Sequence, residues 1–470
     1  MKRRIFLLAL ACLVASQTIA QIKFESYYDK DKIYKSIEGD MTEDSVRIGK
    51  WTWWHPNGKV FQQGEYTDGE KSGTWVVYYE DEIVCAREDY ENGFHRAWHK
   101  GGKLKSEVAI KDGKKHGTYK SWYENGQQKD EIIFVAGSKE GATKEWYENG
   151  QLKFEGEYAN NVLNCYGKWW TETGKKDMEG KLVNDLQEGK WIFYWRTNGK
   201  VGIEGTYVAG VEEGEWIYYY ETGEKWRSGL YSQGEREGLW TTWYENGKKL
   251  HEGKYAAGKE YGPWKSWYEN GKINYAGSFN QGLKNGEWKG FYQNGTPKYV
   301  VNYKDDVRHG REIHYYENGN IESEEFYRDG IYEGACKRYN QNGKLTESGF
   351  FVAGKKDGMW QYYNQMGVLS YEQEFSNDVP HGKFVEYIGQ GRKSTEGSYT
   401  KGVRTGTWSY WDRYGNLTLT MVFKDGKMVD KQVHEERKQD RRPGTPTQNQ
   451  NQNQQRNGGK GKVNNSKRFK

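Results

Sequence analysis

Aromatic residues and glycines recur along this chain with a period of 24 residues. The stretch Gly238–Tyr261 reads GLWTTWYENGKKLHEGKYAAGKEY, and the same pattern begins again at Gly262. Aromatic, apolar and polar residues mix at short range on both sides of Asn246-Gly247, which is typical of two short strands. Asn-Gly favours the positive φ values of a tight hairpin turn. The pattern therefore predicts that one repeat is one β-hairpin.

The repeat extends over most of the chain, and such a long fixed period indicates a repeat architecture. The predicted turn glycines are Gly58, Gly102, Gly126, Gly150, Gly174, Gly199, Gly223, Gly247, Gly271, Gly295, Gly319, Gly343, Gly367, Gly391 and Gly415, and one further turn lies at Glu82. Gly258 and Gly262 are expected in the loop between two hairpins, where they serve turns with positive φ. We expect an all-β fold: an elongated single-layer antiparallel β-meander, or solenoid, of about 16 hairpin repeats of 24 residues.

Side chains alternate between the two faces of a strand. Trp240 and Tyr244 are therefore expected on one face and Trp243 on the other, while Gly253 and Tyr255 share a face of the return strand. A glycine in a strand leaves space that an aromatic ring from a neighbouring strand can cover, which predicts a ladder of rings laid across glycines. The positions that specify the repeat are Trp240, Trp243, Tyr244, Gly247, Gly253, Tyr255, Trp264, Trp267, Tyr268 and Gly271.

The N-terminus is typical of a secretory signal peptide, predicted at residues 1–20. Basic residues at positions 2–4 precede a short apolar run, and cleavage is expected before Gln21. Acylation at Cys12 is not expected, because only about seven apolar residues precede it. We predict an exported protein that is periplasmic, bound to the cell envelope or outer membrane, or extracellular.

The rest of the chain divides into three segments by composition. Residues 21–48 are expected to form an N-terminal cap with a partial repeat, and residues 49–428 the hairpin array. Residues 429–470 are a charged, then Gln/Asn-rich and basic tail of disordered composition, in which Lys431–Asp440 is expected to add one or two helical turns.

Aromatic residues make up 16% of the chain, including 21 Trp and 38 Tyr. They can bury enough area to order a chain whose mean hydropathy is only −1.10. The formal charge is +5, but the signal and the tail hold the excess of lysine and arginine, so the array is mildly acidic. A specific nucleic-acid partner is therefore not expected. The tail remains a candidate for contact with anionic lipid or an envelope glycan.

Residues with reactive chemistry follow the repeat and do not cluster. Cys85, Cys165 and Cys336 are too many strands apart to form a disulfide, and Cys336 takes the place of a first tryptophan. His116, His309 and His381 each precede the first glycine of a unit and are interpreted as turn residues, while His95 and His99 are interpreted as surface residues. We predict no catalytic residues, no cofactor and no metal site, and therefore no enzyme.

Three quotable copies resemble MORN-type repeats in their bacterial variant form: Gly117–Gln127 (GTYKSWYENGQ), Gly262–Lys272 (GPWKSWYENGK) and Gly406–Asn416 (GTWSYWDRYGN). The resemblance covers roughly residues 35–428. It implies an elongated β-meander that binds protein partners, forms homodimers or associates with membranes. Some bacterial relatives are described as antitoxin-like.

Three functional hypotheses follow. The first is a non-catalytic protein-interaction scaffold exported to the cell envelope, with a partner that the sequence does not identify. The second is a glycan-binding or envelope-binding repeat protein that uses exposed aromatic rings. The third is an antitoxin-like or immunity-like protein that occludes a toxin. Solvent exposure of the tryptophans separates the second hypothesis from the first, because rings that stack on a ligand must be open to solvent.

Overall fold

The structure, a computed structural model, describes residues 21–389 and 391–434. These residues form strands and turns without any helix, and all 38 strands belong to one open antiparallel sheet. Successive strands pair in chain order, as a meander. The predicted fold class, an all-β antiparallel meander of hairpins, is confirmed.

The chain divides into two compact units, the first comprising residues 21–345 and 351–354 and the second residues 346–350 and 355–434. The strands up to the middle of the chain are β1 Ile22–Tyr27, β2 Lys35–Met41, β3 Arg47–Trp54, β4 Val60–Thr67, β5 Glu70–Tyr78, β6 Val84–Asp89, β7 Phe94–Trp98, β8 Leu104–Lys111, β9 Lys114–Trp122, β10 Gln128–Val135, β11 Ser138–Trp146, β12 Leu152–Ala159, β13 Val162–Leu163, β14 Tyr166–Trp170, β15 Lys176–Val183, β16 Leu186–Tyr194, β17 Val201–Val208, β18 Val211–Tyr219 and β19 Lys225–Ser232. The remaining strands are β20 Glu235–Trp243, β21 Lys249–Ala256, β22 Lys259–Trp267, β23 Ile273–Asn280, β24 Leu283–Phe291, β25 Pro297–Lys304, β26 Val307–Arg308, β27 Gly310–Tyr315, β28 Ile321–Arg328, β29 Ile331–Tyr332, β30 Gly334–Tyr339, β31 Leu345–Val352, β32 Lys355–Tyr363, β33 Leu369–Ser376, β34 Val379–Ile388, β35 Arg392–Thr400, β36 Val403–Trp411, β37 Leu417–Lys424 and β38 Lys427–Val433.

The Asn-Gly turn is wider than the sequence predicted. Between β20 and β21 the Gly247 amide donates to the Tyr244 carbonyl at 2.9 Å, and the Tyr244 amide donates to the Lys248 carbonyl at 2.8 Å. Gly247 has φ +80°, whereas Asn246 is not among the residues with positive φ. Its side chain instead accepts a hydrogen bond from the Lys248 amide at 3.0 Å. The predicted hairpin turn at Glu245-Asn246-Gly247 is therefore present, but the positive φ expected from Asn-Gly is found only at Gly247.

The tight two-residue turn lies instead between hairpins, where Ala257 and Gly258 have φ +47° and +74°. The expectation of a positive φ at Gly258 is confirmed. Gly262 also has a positive φ, +67°, but its predicted place in the loop is wrong because it lies inside β22. Gly253 pairs with Trp264 while the next residue, Lys254, pairs with Tyr261, so the strand carries a bulge there.

Both ends of the array are strands. At the N-terminal end, β1 pairs with β2 to form a hairpin ahead of the first full repeat. At the C-terminal end, β38 pairs with β37 as far as Val433. The prediction that the pattern stops after Lys427 and that Lys431–Asp440 begins a helical turn is therefore wrong for residues 428–433, because the turn at Asp425-Gly426 starts one more strand. Residues 435–440 lie outside the described residues.

The two faces of the sheet differ in chemistry. The aromatic face, defined by Trp240 and Gly253, holds the most buried side chains: Trp51, Trp75, Trp191, Trp360 and Trp408 are at most 2% exposed. The charged face, defined by Thr241 and Glu252, carries exposed ion pairs such as Lys190–Glu204 at 2.7 Å. Exposed ion pairs contribute little free energy. Most of the stabilisation therefore comes from ring packing on the aromatic face.

Candidate interaction surface

In nine repeats the first tryptophan covers a glycine of the preceding return strand. A Cβ atom added at Gly253 would lie 2.1 Å from the Trp264 ring, so the ring rests directly on the backbone. The Trp264 Nε1 donates to the Lys254 carbonyl at 3.2 Å. Tyr255 meets the same ring edge-on, with centroids 5.3 Å apart. One face of the Trp264 ring is thus covered within the fold, although the residue stays partly exposed.

Glycine and tryptophan at these positions occur together. The covered glycines and their rings are Gly39 and Trp51, Gly64 and Trp75, Gly180 and Trp191, Gly205 and Trp216, Gly229 and Trp240, Gly253 and Trp264, Gly277 and Trp288, Gly349 and Trp360, and Gly397 and Trp408. In the other repeats the two equivalent residues are Glu88 and His95, Val108 and Tyr119, Ile132 and Thr143, Gly156 and Gly167, Val301 and Glu312, Glu325 and Cys336, and Gln373 and Phe384. None of these sites holds a tryptophan. The two positions therefore change as a unit, since any side chain at the glycine position would collide with an indole.

The hairpin turns form a second structural edge, at which each repeat holds the next. The Tyr244 hydroxyl donates to the Trp267 carbonyl at 2.9 Å, and the Tyr268 hydroxyl donates to the Phe291 carbonyl at 2.7 Å. Trp243 receives the same contact from Tyr220 at 2.8 Å. Gly247 and Gly271 close the turns with φ +80° and +88°. These residues position the turns and leave no open ring surface of their own that faces a common pocket.

The connections between hairpins form the opposite edge, and here the periodic histidines have their place. The Glu237 carboxylate accepts a hydrogen bond from the Ala257 amide at 3.1 Å. His309 and His381 stand at the same repeat position, and each accepts from the equivalent amide through Nδ1, at 3.5 Å and 3.4 Å. These histidines lie at separate turns and do not converge on a common site.

A continuous row of variable residues lies beside the tryptophans on the aromatic face. Each member pairs directly with the next across neighbouring strands, and in the first unit the members are Trp53, Gln62, Val77, Ala86, Ala97, Ser106, Ser121, Asp130, Glu145, Phe154, Trp169, Met178, Phe193, Ile203, Tyr218, Arg227, Thr242, His251, Ser266, Tyr275, Gly290, Tyr299, His314, Ser323 and Arg338. We call this set the variable row. The frame around it repeats, whereas its chemistry changes from strand to strand.

The variable row is divided into stretches of distinct chemistry. From Phe154 to Tyr218 every member is aromatic or aliphatic, and all but Phe154 are partly exposed. The next members, Arg227 to His251, are basic or polar. Exposed aromatic and aliphatic side chains held on a rigid frame are typical of protein-binding surfaces.

A buried charged cluster replaces the glycine–tryptophan pair near the C-terminal end of the first unit. Glu312 is 2% exposed and its Oε1 lies 2.6 Å from His314 Nε2 and 3.5 Å from Arg308. The neighbouring Glu325 is 6% exposed and accepts a hydrogen bond from the Tyr332 hydroxyl at 2.9 Å. The hydrogen bond from His314 to Glu312 raises the pKa of that imidazole, against the opposing effect of burial.

Stability is expected to depend on pH through His314. A raised pKa in the folded state means that the contribution is fully present below the unfolded pKa, about 6.5, and is lost as pH rises through the folded pKa. We therefore expect urea unfolding midpoints to fall more between pH 5.5 and 8.5 in the wild type than in His314→Gln. Burial lowers the pKa values of His95 and His251, so their effects run the other way, and the difference between the two proteins isolates His314. Equal slopes for both proteins would contradict the assignment.

The remaining histidines and the cysteines also occupy repeat positions. His95 stands at a tryptophan position, 4.0 Å from Glu88. The His99 side chain is only 15% exposed, and its Nε2 lies 2.8 Å from the Trp122 carbonyl, so the surface interpretation is wrong for His99. Cys336 lies buried at a tryptophan position. Within residues 21–389 and 391–434, Cys85 and Cys165 are free thiols.

Two absences hold for residues 21–389 and 391–434. No three or more His, Cys, Asp and Glu side chains in this part of the chain are grouped in a way that could hold a metal ion. No helix with the length and apolar character needed to cross a membrane is present there.

Comparisons with known proteins agree with this geometry. No curated protein matches the chain. One solved structure that resembles it is described as Crystal Structure of TcdB2-TccC3-TEV, with 11% identity, 87% of this chain and 23% of that chain covered, and a TM-score of 0.14. A structure of the Photorhabdus luminescens Tc holotoxin pore gives the same values. The chain thus spans about a quarter of those chains, and such low scores support no conclusion about function.

The family comparison is specific to the repeats themselves. The model of the MORN repeat variant matches eight segments, at residues 47–68, 115–135, 139–160, 236–257, 260–281, 284–305, 308–329 and 332–353. Each matched segment covers one hairpin: residues 236–257, for example, run from β20 through the turn to the end of β21. The chain therefore belongs to the MORN repeat variant family and is a repeat scaffold.

Proposed function

We propose that this chain is a non-catalytic scaffold of the cell envelope and that its variable row binds a protein partner. One observation carries the proposal: side chains of changing chemistry stand in an unbroken row on a frame that repeats with little change. In repeat proteins, a surface of this kind presents residues that vary while the fold stays fixed. The repeated residues of the frame already contact one another. The specificity of partner binding therefore depends on the variable row.

Burial of the tryptophans bears on the glycan hypothesis. The rings of Trp240 and Trp288 are 5% and 3% exposed, and each lies across a glycine. A sugar needs an open ring face to stack on, and these faces are covered. The ladder tryptophans therefore support a structural role, and the proposal places recognition on the half-exposed row beside them.

The apolar stretch of the variable row is the part expected to contribute most to binding. Phe193 and Ile203 are neighbours in the row, and both are half-buried. On the charged face, Ile192 of the same hairpin and Ile217 of the next one are half-buried as well. Ile192 and Ile217 on the charged face can therefore serve as matched controls for Phe193 and Ile203 on the aromatic face.

Replacement of the row residues is expected to abolish partner binding. We expect Phe193→Ser/Ile203→Ser to lose a partner that the wild type captures from envelope extracts, whereas Ile192→Ser/Ile217→Ser keeps it. The measurement is affinity capture with identification of the partner by mass spectrometry, after circular dichroism has shown that both variants are folded. The proposal is wrong if the two variants capture the partner equally, or if the wild type captures chaperones alone.

The envelope location rests on residues 1–20, which lie outside the described residues. Export with cleavage before Gln21 is expected to give a mature protein that starts at that residue and fractionates with the envelope. N-terminal sequencing of the fractionated protein tests this. A cytoplasmic protein that retains Met1 would contradict the location, and a captured partner that proves to be a toxin would favour the antitoxin-like alternative.

A further inference from the structure

The variable row turns basic at one point, and a cavity of about 260 Å³ opens on the aromatic face there. Its lining includes Arg227, Arg236, His251 and Glu260, with rings such as Trp240 and Tyr275. Burial lowers the pKa of His251, so the imidazole is neutral at pH 7. The two guanidinium groups therefore supply the positive charge of the cavity.

Arg227 is held in place by aromatic rings. Its guanidinium carbon lies 4.1 Å from the centroid of Tyr218 and 4.5 Å from that of Trp226. Its Nε is buried and has no hydrogen-bond acceptor. A guanidinium that is stacked on aromatic rings has lost much of its rotational freedom, so less is lost when it binds a planar anion. Among the described residues, no hydrogen-bond acceptor is therefore available to the Arg227 Nε.

Arg236 is fixed in a similar way. Its guanidinium stacks 4.8 Å from the Trp240 centroid, and Nη1 donates to the Tyr255 hydroxyl at 3.2 Å. Within the part of the chain that the structure describes, the groups recorded against Arg227 and Arg236 are aromatic rings and the Tyr255 hydroxyl, with no carboxylate in an ion pair. Glu260 is the acidic residue in the lining of the cavity.

The same two repeat positions hold a complete ion pair in the second unit. There Lys356 occupies the position of Arg236, and Glu347 occupies the position of Arg227; the Lys356 Nζ lies 2.7 Å from the Glu347 Oε1. The cation at this position also meets a carboxylate elsewhere, as in Lys71 with Glu88 at 3.1 Å. At the cavity an arginine stands at the position that Glu347 holds in the second unit, so neither arginine receives a carboxylate from the described residues. A carboxylate from another molecule can therefore pair with both.

We propose that the cavity between Arg227 and Arg236 binds a carboxylate, and that this carboxylate is an Asp or Glu side chain of the protein partner. The inference rests on the proposed function and adds the chemistry of one contact. Two guanidinium groups can each donate two parallel hydrogen bonds to carboxylate oxygens. The apolar stretch of the variable row ends beside the cavity, so an acidic residue next to an apolar segment of the partner fits both.

Binding of an acidic peptide tests the carboxylate site directly. The probes are a peptide of alternating Glu and Ser, its counterpart with Gln in place of Glu, and free glutarate. We expect the Glu peptide to bind the full chain at low salt and to change the tryptophan fluorescence, with the Gln peptide at least about tenfold weaker. Glutarate that binds as tightly as the Glu peptide would overturn the assignment to a protein side chain.

Variants of the two arginines locate the binding. Arg227→Gln and Arg236→Gln are each expected to weaken binding of the Glu peptide by about tenfold or more. The matched control is Arg413→Gln, because Arg413 also stacks on a tyrosine, at 4.8 Å from the Tyr414 centroid, but is exposed at a turn. Wild-type affinity in Arg227→Gln, or an equal loss in Arg413→Gln, would overturn the proposal. If the arginine variants fail to fold, Glu260→Gln provides the readout: it should tighten binding, and unchanged binding would count against the site.

Partner capture separates this inference from the proposed function. Loss of the captured partner in Arg227→Gln supports both. If Phe193→Ser/Ile203→Ser loses the partner and Arg227→Gln keeps it, the scaffold stands and the carboxylate contact is wrong. If neither variant affects capture, the variable row is not the binding surface, whether or not the Glu peptide binds.

Discussion

Gly253→Ala is expected to destabilise the protein by about 1–3 kcal/mol, the usual cost of overpacking. The added methyl would lie 2.1 Å from the Trp264 ring, so the backbone or the indole must shift. Trp264→Ala alone is expected to cost about 3–5 kcal/mol. In that background, Gly253→Ala should be neutral or slightly stabilising, because alanine restricts the unfolded chain more than glycine. A double-mutant cycle measured by urea unfolding gives the coupling energy.

Gly202→Ala is the matched control for this cycle. Gly202 is also a buried strand glycine, but its nearest neighbour, Trp195 Nε1, would lie 3.2 Å from the added methyl. We expect a much smaller effect there. Additive costs of Gly253→Ala and Trp264→Ala would show that the ring and the glycine are not a unit.

A second exchange is expected to raise stability. Val301→Gly/Glu312→Trp rebuilds the common pair at the charged cluster, where Glu312 is 2% exposed and one of its oxygens is buried without a hydrogen-bond partner. Replacement of a buried ion pair by well-packed apolar atoms is often neutral or stabilising by about 1–4 kcal/mol. The cations left behind, Arg308 and His314, are partly exposed, so water can solvate them. Glu312→Trp alone is expected to destabilise, because the ring would meet the Val301 side chain. Urea unfolding of the single and double variants measures whether each change raises or lowers the free energy of unfolding.

The reciprocal exchange tests whether the effect on stability depends on the neighbouring residues of the repeat. Gly253→Val/Trp264→Glu places the cluster's two residues in an ordinary repeat, where Glu260 and Ser266 take the places of Arg308 and His314. The new carboxylate would be buried beside another acid and without a cation, so strong destabilisation is expected. A double variant at residues 301 and 312 that is less stable than the wild type would show that the cluster stabilises this region better than the common pair.

The sequence predicts the repeat better than it predicts the turns. The 24-residue period, the hairpins and the ring over a glycine follow from residue types alone. The conformation at Asn246 and the bulge at Gly262 do not, because each depends on how many residues separate two paired strands. A shift of one residue moves every following side chain to the other face.

The variable row is hidden in the sequence for the same reason. Thr242 and His251 are adjacent in space, as are His251 and Ser266, but the spacing along the chain alternates because the turns and bulges differ in length. Only the observed register shows that Arg227 and Arg236 line one cavity. The departures from the repeat, such as Glu312, are visible in the sequence, but their partners are not.

Each covered glycine is packed against a tryptophan of the following hairpin, so the packing of the array runs in one direction along the chain. Each return strand is finished by the hairpin that is synthesised after it, so a nascent or translocating chain always has one uncovered strand at its growing end. The last return strand has no tryptophan to follow, and there Met421 stands where glycine recurs, paired with Trp408. Because each ring covers the strand before it, whole units can be gained or lost by duplication within the array without altering how the series ends.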